Sequence, residues 1–548
     1  IALFEQPAAA EDWDGLARLI LANSKALIDQ GRLQTLEGWL ASIPPRVMKG
    51  APWLLYHMGL CRLPFNQPLA RRSLASAFDI FKKKRDRPGI FLSWIGVVNS
   101  YLYEMENLQP LDRWIQEFER LLKRPGGCPS ETIWEQAALA MFSAMIFRQP
   151  QHRGISRWRA AAESVMRTTS NRTLKMSIGY SLALHYLRTG SVAKAGILID
   201  MFSSHYSQPG VSHLQKLMWL RVKALYEHFV SSYRNSLETL EEGLNIAGET
   251  GIGIFNQIFF GLGVYNSLSL GDIKKARLYL DKLASMIENS SRRFDVIYYH
   301  RVAALVALNA GDMATAVEHA ATCVKLSEGL GAPHIHNIHE AALAYVLAEA
   351  GRHREALRLT GKAKKLSRRM GSVLFPYACS LTEAVIFLYR GEDTRCVEAL
   401  AKAAEIGKGY GIRVPLFIKP SSFARLCAKA LDAGIECEYF QEQIRLNGLT
   451  PVQSMEAAEQ WPWDIRIYTL GRFQIIACGQ KAGQPGKGQH KTISLLKALI
   501  AFGSVEVSRS RLIDKLWPDS DGDMGLQTFK TTLHRLRRML KSERALVI

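Results

Sequence analysis

Eight polar side chains, Gln527, Lys530, Thr531, His534, Arg535, Arg537, Arg538 and Lys541, fall within the stretch LQTFKTTLHRLRRMLK from Leu526 to Lys541, and no acid separates them. At about 100° per residue, Phe529, Leu533, Leu536 and Leu540 form one narrow apolar stripe, the spacing of a helix docked on a small core. Thr531, Arg538, Gln527, His534 and Arg535 then point away from that core, with Lys530, Arg537 and Lys541 on the flank. A surface helix that serves only solubility mixes its signs to gain i,i+4 pairs, so an unrelieved basic face calls for an anionic partner, nucleic acid first. The plainer alternative is a solvated basic helix in an interaction domain.

Other reactive residue types form weaker patterns. His334, His336 and His339 are the one histidine cluster, but no cysteine or carboxylate completes a recognised ligand set, so a polar helix start is expected ahead of a metal. The acidic loop Asp519 to Asp523 imitates a calcium loop and fails it, with Met524 where glycine and Lys530 where glutamate are required. A polar turn is expected there. Gly479 to Thr492 is glycine-rich and basic, yet lacks the glycine-lysine-hydroxyl ending of a phosphate-binding loop. The basic runs Lys82 to Arg87 and Lys362 to Arg369 read as solvated helix ends. No Ser-His-Asp, Cys-His or paired-carboxylate arrangement stands on spacing alone, so no enzyme and no metal site is expected in this chain.

The formal charge of +20 over 548 residues raises the prior for an anionic partner without locating it. A segmental count does locate it: residues 463–548 carry fifteen Lys and Arg against seven Asp and Glu, about two fifths of the excess in under a sixth of the length. The eight cysteines are scattered singly, with neither C-x-x-C nor a dense framework, which fits small core residues in a reducing compartment. No long uncharged apolar run and no signal core occurs, so a cytoplasmic protein without membrane contact is expected. The first residue is Ile1 rather than Met, and the last, Ile548, closely follows a helical pattern; both ends read as clipped.

The elements that must position these residues are mostly helices. Trp13 to Pro45 reads as a helix pair turning at Gly31, and helical patterns continue without useful β alternation. From about Ser177 a repeat emerges: Gly271, Gly311, Gly351 and Gly391 lie forty residues apart, with Gly190 a step further back beyond an irregular unit that turns near Val230. Five residues after each glycine stands a small residue (Ala195, Ala276, Ala316, Ala356, Cys396), and seven before it another small or slim one (Ala183, Val264, Ala304, Ala344, Ala384). A second series, Gly251, Gly331, Gly371 and Gly411, marks the other end of the unit. The spacing predicts helical hairpins: one glycine at the A–B turn, small residues where the helices approach, the other glycine capping helix B. A lone hairpin cannot bury its apolar face, but stacked neighbours can, so residues 1–446 are expected to form an α-solenoid. The pattern resembles a divergent tetratricopeptide repeat, longer than the usual unit and without its aromatic and proline positions. In such solenoids the A helices line the concave side, which turns Tyr265, Tyr298, Arg301 and Tyr345 inward as an effector groove for a sugar, peptide or anionic metabolite. The alternative is that these aromatics pack adjacent repeats together.

Residues 447–462 break the periodicity and read as a linker. Ile465 to Ile475 then alternates at period two around Gly471, predicting short strands, followed by helices over Thr492 to Phe502, Arg509 to Trp517 behind Ser508, and the basic helix. The order strand-LG-strand, KTISLLKALIAFG, VSRSRLIDKLWPD and LQTFKTTLHRLRRML resembles the winged-helix DNA-binding domain of the OmpR type, in the version of antibiotic-regulatory bacterial activators. That resemblance covers residues 463–548, with no wing after the third helix. It implies base contacts from Gln527, Thr531, His534 and Arg535, and phosphate contacts from Lys530, Arg537, Arg538 and Lys541. The acidic loop would face RNA polymerase. Trp13, Gly31-Arg32, Leu36, Trp39-Leu40, Ile43-Pro44 and Pro52-Trp53, with the forty-residue hairpins, resemble the effector-sensing region of MalT-like regulators of the STAND class. The two resemblances imply a mainly α bacterial transcription regulator: a solenoid that senses a small-molecule or protein effector, a small α+β winged helix on double-stranded DNA, and self-association on activation. They imply no cofactor within this chain, and any ATP site of such a regulator would lie upstream of Ile1. The reading from another class is a protein-interaction scaffold with a basic end, or the non-catalytic part of a signalling NTPase.

Overall fold

Small side chains set the distance between helices in the larger part of this protein. In the computed structural model, Ala304 and Ala316, Ala344 and Ala356, Ala384 and Cys396, Val264 and Ala276, and Ala183 and Ala195 are all buried. The Cys396 thiol lies 3.4 Å from the carbonyl of Ala384, as close approach of the two backbones requires. The structure describes residues 12–204, 206, 211–288, 292–451, 460–477, 480–481, 490–503, 506–541 and 546. The chain divides into two compact units, 1–460 and 461–548.

The first unit is a solenoid of helical hairpins. Its regular repeats pair Asn256–Ser269 with Ile273–Glu288, Arg293–Ala310 with Met313–Leu330, Pro333–Glu349 with His353–Arg369, and Leu374–Tyr389 with Asp393–Tyr410. Gly311 sits at one A–B turn with φ of 84°, a left-handed conformation that only glycine adopts without strain. The irregular unit pairs His213–Phe229 with Tyr233–Thr250 and turns at Ser231, which takes the left-handed conformation (φ 61°) without being glycine. It keeps the close approach by other means: the Ser236 hydroxyl donates to the carbonyl of Ala224 at 2.7 Å, from the same two positions relative to the turn. Hairpins also precede the regular repeats, including Pro52–Arg62 with Gln67–Lys84 and Arg87–Glu104 with Leu111–Lys123. Side-chain caps start many of these helices; Asn66, Asp86, Ser130 and Asn171 each accept a backbone N–H of the first turn.

Successive superhelical turns of the first unit touch. The Leu108 amide donates to the Leu330 carbonyl at 2.8 Å, and Arg148 donates to the Gly331 carbonyl at 2.9 Å while pairing with Asp112 at 2.6 Å. The Val373 amide donates to the Thr189 carbonyl at 3.2 Å, and the Ser372 hydroxyl to the Arg188 carbonyl at 2.9 Å. Ser231 and Asn447 both donate to the Arg413 carbonyl at 3.1 Å. These partners are far apart in sequence but face each other across the turn, so the concave side is enclosed along this stretch instead of being the open groove expected from the repeat alone.

The second unit carries a three-stranded antiparallel sheet in the order β1 (Ile465–Tyr468), β2 (Gln474–Ala477), β3 (Gln480–Lys481), with Ile465 opposite Ala477. The first two strands match the expected alternation; the third is new. Three helices follow, His490–Ala501, Arg509–Leu516 and Gly522–Leu540. Their core joins Ile475, Leu495, Leu496 and Leu512 to Phe529, Leu533, Leu536 and Leu540, all of the predicted stripe being buried. The last helix starts before the predicted Leu526: Gly522 and Asp523, expected in a turn, form its first residues, where an acid favours the positive end of the helix dipole. Most of the glycine-rich loop, residues 482–489, lies outside the described residues, and its last three, 490–492, are helical.

Candidate functional site

The enclosed concave side holds a cavity of ≈ 120 Å³, room for a small organic molecule or several waters. Six A helices wall it, from Arg172–Thr189 to Leu374–Tyr389, and the Gly411–Lys419 segment adds Leu416 and Phe417. The lining is largely apolar and aromatic, with Phe229, Phe294, Tyr265 and Tyr298 among its rings. Among the described residues its charged groups are all cationic: Arg188, Arg221 and Arg301 reach it, and no Asp or Glu does.

The three arginines differ in how they are satisfied. Arg301 Nε donates to the Tyr265 hydroxyl, and its guanidinium lies 5.1 Å from the Tyr265 ring centre and 5.4 Å from that of Tyr298. Arg221 Nη1 donates to the Tyr180 hydroxyl at 2.5 Å, while its Nε is buried with no acceptor. Arg188 stacks 4.0 Å from the Phe147 ring centre and makes no side-chain hydrogen bond among the described residues; its Nη1 is wholly covered. Burial, and then the neighbouring Arg221 charge, hold the Arg188 guanidinium down to about 9. Burial likewise holds His228 at about 4, His334 at about 3 and His339 well below the usual imidazole range, so all three lining histidines are neutral near pH 7.

Of the four residues expected in an effector groove, Tyr265, Tyr298 and Arg301 line the cavity and contact one another, so they serve repeat packing and the cavity wall at once. Tyr345 does not line it. Although it occupies the same repeat position as Tyr265, it is wholly buried, because the Gly411–Lys419 segment covers it: its hydroxyl accepts from the Lys419 amide at 2.9 Å and donates to Glu349 at 2.8 Å. The same Glu349 carboxylate pairs with the Lys419 ammonium at 2.6 Å and accepts from Ser422 at 2.6 Å and Tyr389 at 3.1 Å. Arg188 and Arg221 were not singled out from sequence. Arg221 carried a signal, standing ten residues before its turn at Ser231 just as Arg301 stands before Gly311; Arg188, two residues before Gly190, carried none.

The histidine cluster does not converge. His334 contacts the Arg188 carbonyl at 3.0 Å and His339 faces the cavity, whereas His336 turns to Ser327 at 2.9 Å and Glu340 at 3.3 Å. His334 and His339 are buried, so the expected polar helix start is instead part of the core. Among the described residues no group of three or more His, Cys, Asp or Glu is placed to hold a metal ion. The basic runs end helices as expected, but Lys82 pairs with Glu117, Lys362 with Glu340 and Lys364 with Glu383. No described helix is long and apolar enough to cross a membrane.

On the second unit, Gln527, Lys530, Thr531, His534, Arg535 and Arg538 are exposed along one helix, and no carboxylate pairs with any of these cations among the described residues. The Thr531 hydroxyl donates to the Gln527 carbonyl at 3.0 Å. Arg537 departs from the expected phosphate-facing set: it is half-buried and its Nη2 donates to the Leu546 carbonyl at 2.8 Å, so its guanidinium is taken by the unit's own C-terminal segment. Lys541 is exposed and donates to Gln480 at 3.1 Å.

No protein-family model matches the chain, and no curated protein matches it. Solved helical-repeat structures do. The crystal structure of Rap protein complexed with competence and sporulation factor is 11% identical over 68% of this chain and 98% of that one, with a TM-score of 0.49. The APC/C hetero-tetramer Cut9-Hcn1 is 10% identical over 84% of this chain and 94% of that one (TM-score 0.33), and yeast Tom70 11% identical over 82% and 94% (TM-score 0.28). None of these three likenesses bears on what the present chain binds.

Proposed function

We propose that this chain is a regulatory DNA-binding protein: its helical-repeat unit receives an effector or protein partner, and its C-terminal unit binds duplex DNA as a winged helix of the OmpR type. The observation that carries this reading is the exposed basic face of residues 527–541, whose single acid neighbour on the helix is Asp523 in the first turn and whose opposite side is buried in a small core. Such a helix presents side chains to a groove while its own domain holds it rigid. Arg535, Gln527, Thr531 and His534 are the base-facing candidates, and Lys530, Arg538 and Lys541 the phosphate-facing ones. Binding rather than catalysis is the activity proposed, and the effector acts by favouring one of two states of the protein.

The test is fluorescence anisotropy with duplex DNA across ~50–200 mM salt. Losing a phosphate contact through Lys530→Ala or Arg538→Ala should lower the salt slope by about 1, while Arg535→Ala should narrow the gap between preferred and random sequence by about 1–3 kcal/mol. Duplex affinity unchanged in all three variants would remove the DNA reading. The second reading, a protein-interaction scaffold, is favoured by Ile197 and Met201, which are 63% and 46% exposed one turn apart on Val192–Phe202. A scaffold would show only sequence-independent electrostatic attraction to DNA.

A further inference from the structure

The cavity of the repeat unit is electrostatically incomplete. A guanidinium removed from water is ordinarily paired with a carboxylate or fully hydrogen-bonded, because an uncompensated buried charge is costly. Arg188, half-buried with its Nη1 wholly covered, has neither partner, the buried Arg221 beside it has one phenol, and among the described residues the cavity that both reach contains no acid. Alternative counter-ions within the chain are spent elsewhere: Glu349 is taken by Lys419, and Glu340 by Lys362 and His336. The neutral histidines supply no charge but keep polar edges in the wall.

We propose that this cavity binds a small organic anion, a single carboxylate or phosphate on an apolar, ring-sized body. Arg188 and Arg221 take the oxyanion, and Phe229, Phe294, Tyr298 and Phe417 enclose the body. Guanidinium forks match both oxyanions, so either group satisfies the same donors. A free inorganic ion would satisfy the arginines but leave the aromatic part of the wall uncovered. Arg301, already bonded to Tyr265, positions that wall and is not the primary anchor. The inference deepens the effector half of the functional reading and does not depend on DNA binding.

The experiment uses the full chain and ¹⁹F NMR with three probes: 4-fluorobenzoate, 4-fluorophenyl phosphate, and neutral 4-fluorobenzyl alcohol. Saturable broadening is expected for at least one anion, with the alcohol ~10-fold weaker or more, since it cannot replace a charge-assisted bond. Arg188→Met and Arg221→Met should each weaken the anion ~10-fold or more, while Arg395→Ala, remote from the cavity, leaves it unchanged. The unliganded Arg188→Met protein should melt no lower than wild type, because it loses a half-buried charge that no carboxylate pairs; replacing an arginine with a purely structural role would lower the melting temperature. The benzoate and the phosphate separate the two oxyanion sources. Equal binding of the alcohol, unchanged affinity in both arginine variants, or no saturable binding of either anion at millimolar concentration overturns the proposal. If the anions fail while duplex DNA still binds, this inference falls and the DNA reading stands.

Discussion

Removing the Glu349 carboxylate should release one wall of the cavity. Its side chain is only 2% exposed and is held by the Lys419 ammonium and by the hydroxyls of Tyr345, Ser422 and Tyr389. Glu349→Leu leaves Lys419 without its counter-charge and Tyr345 and Ser422 without acceptors in buried surroundings. Treating each hydroxyl bond to the carboxylate as independent at ~1.5–3 kcal/mol would overcount, because Lys419 and Tyr389 are half-buried and can turn to water. The expected cost is the ~3–5 kcal/mol typical of breaking a buried pair from one side. Lys419→Met strands the carboxylate and should cost a similar amount; the double variant should recover part of it. Because repeat arrays open locally, the readout is native-state hydrogen exchange of the segment 411–423, where the Lys419 amide is bonded to Tyr345. Opening free energies within ~0.5 kcal/mol of wild type in both single variants would refute the idea that this pair fastens the Gly411–Lys419 segment.

Further outcomes follow from other features. Ala316→Leu, placed against Ala304 inside a hairpin, should destabilise the first unit by ~1–3 kcal/mol through overpacking, read by urea unfolding. Gly311→Ala has open space around its new methyl and carries only the left-handed backbone strain, ~1 kcal/mol. Gly190→Ala should be worse, because its methyl would meet Val373 at 2.5 Å where two superhelical turns touch; equal melting points of the two variants would contradict that ranking. His57, His185, His228 and His334 are held neutral by burial, the first three at about 4 and the last at about 3, so the unfolded chain binds more protons below its histidine range. Their contribution to stability is therefore fully present above pH ~6.5, declines as pH falls, and is gone below the folded values; a melting temperature flat from pH 7 to 4.5 would contradict it.

The hairpins are legible in the sequence because every regular unit repeats the same backbone demand: a left-handed turn at Gly271, Gly311, Gly351 or Gly391 and two small residues around it. Periodic causes leave periodic traces. The two-strand alternation around Gly471 and the buried stripe of the last helix were legible for the same reason, one face of each element being fixed by a core. What escaped was set by contacts between residues without a common period, such as Leu108 with Leu330 or Thr189 with Val373. Those contacts turn a groove into a cavity, whereas Arg188 and Arg221 meet because their helices, Arg172–Thr189 and His213–Phe229, are neighbours in the stack. Tyr345 failed as a groove residue for a related reason: its repeat position is equivalent to that of Tyr265, but an irregular segment covers it. Arg537 lies on the basic flank of the helical wheel, and nothing in that periodicity reveals the Leu546 carbonyl that takes its guanidinium.

The touching turns also bear on how such a chain can change over evolutionary time. An open array of hairpins gains or loses a unit at little cost, since each unit meets only its neighbours and duplication merely lengthens the row. Here a hairpin added between Ser231 and Leu330 would shift every one of the facing pairs at Leu108, Arg148, Thr189 and Ser231 out of phase at once. The number of repeats in this stretch is thus constrained like the number of strands in a closed barrel, and variation is left to substitution and to the irregular connections. Non-local pairing carries a kinetic counterpart, because these contacts form only after long stretches of chain have been ordered, which slows folding relative to an open array of the same length.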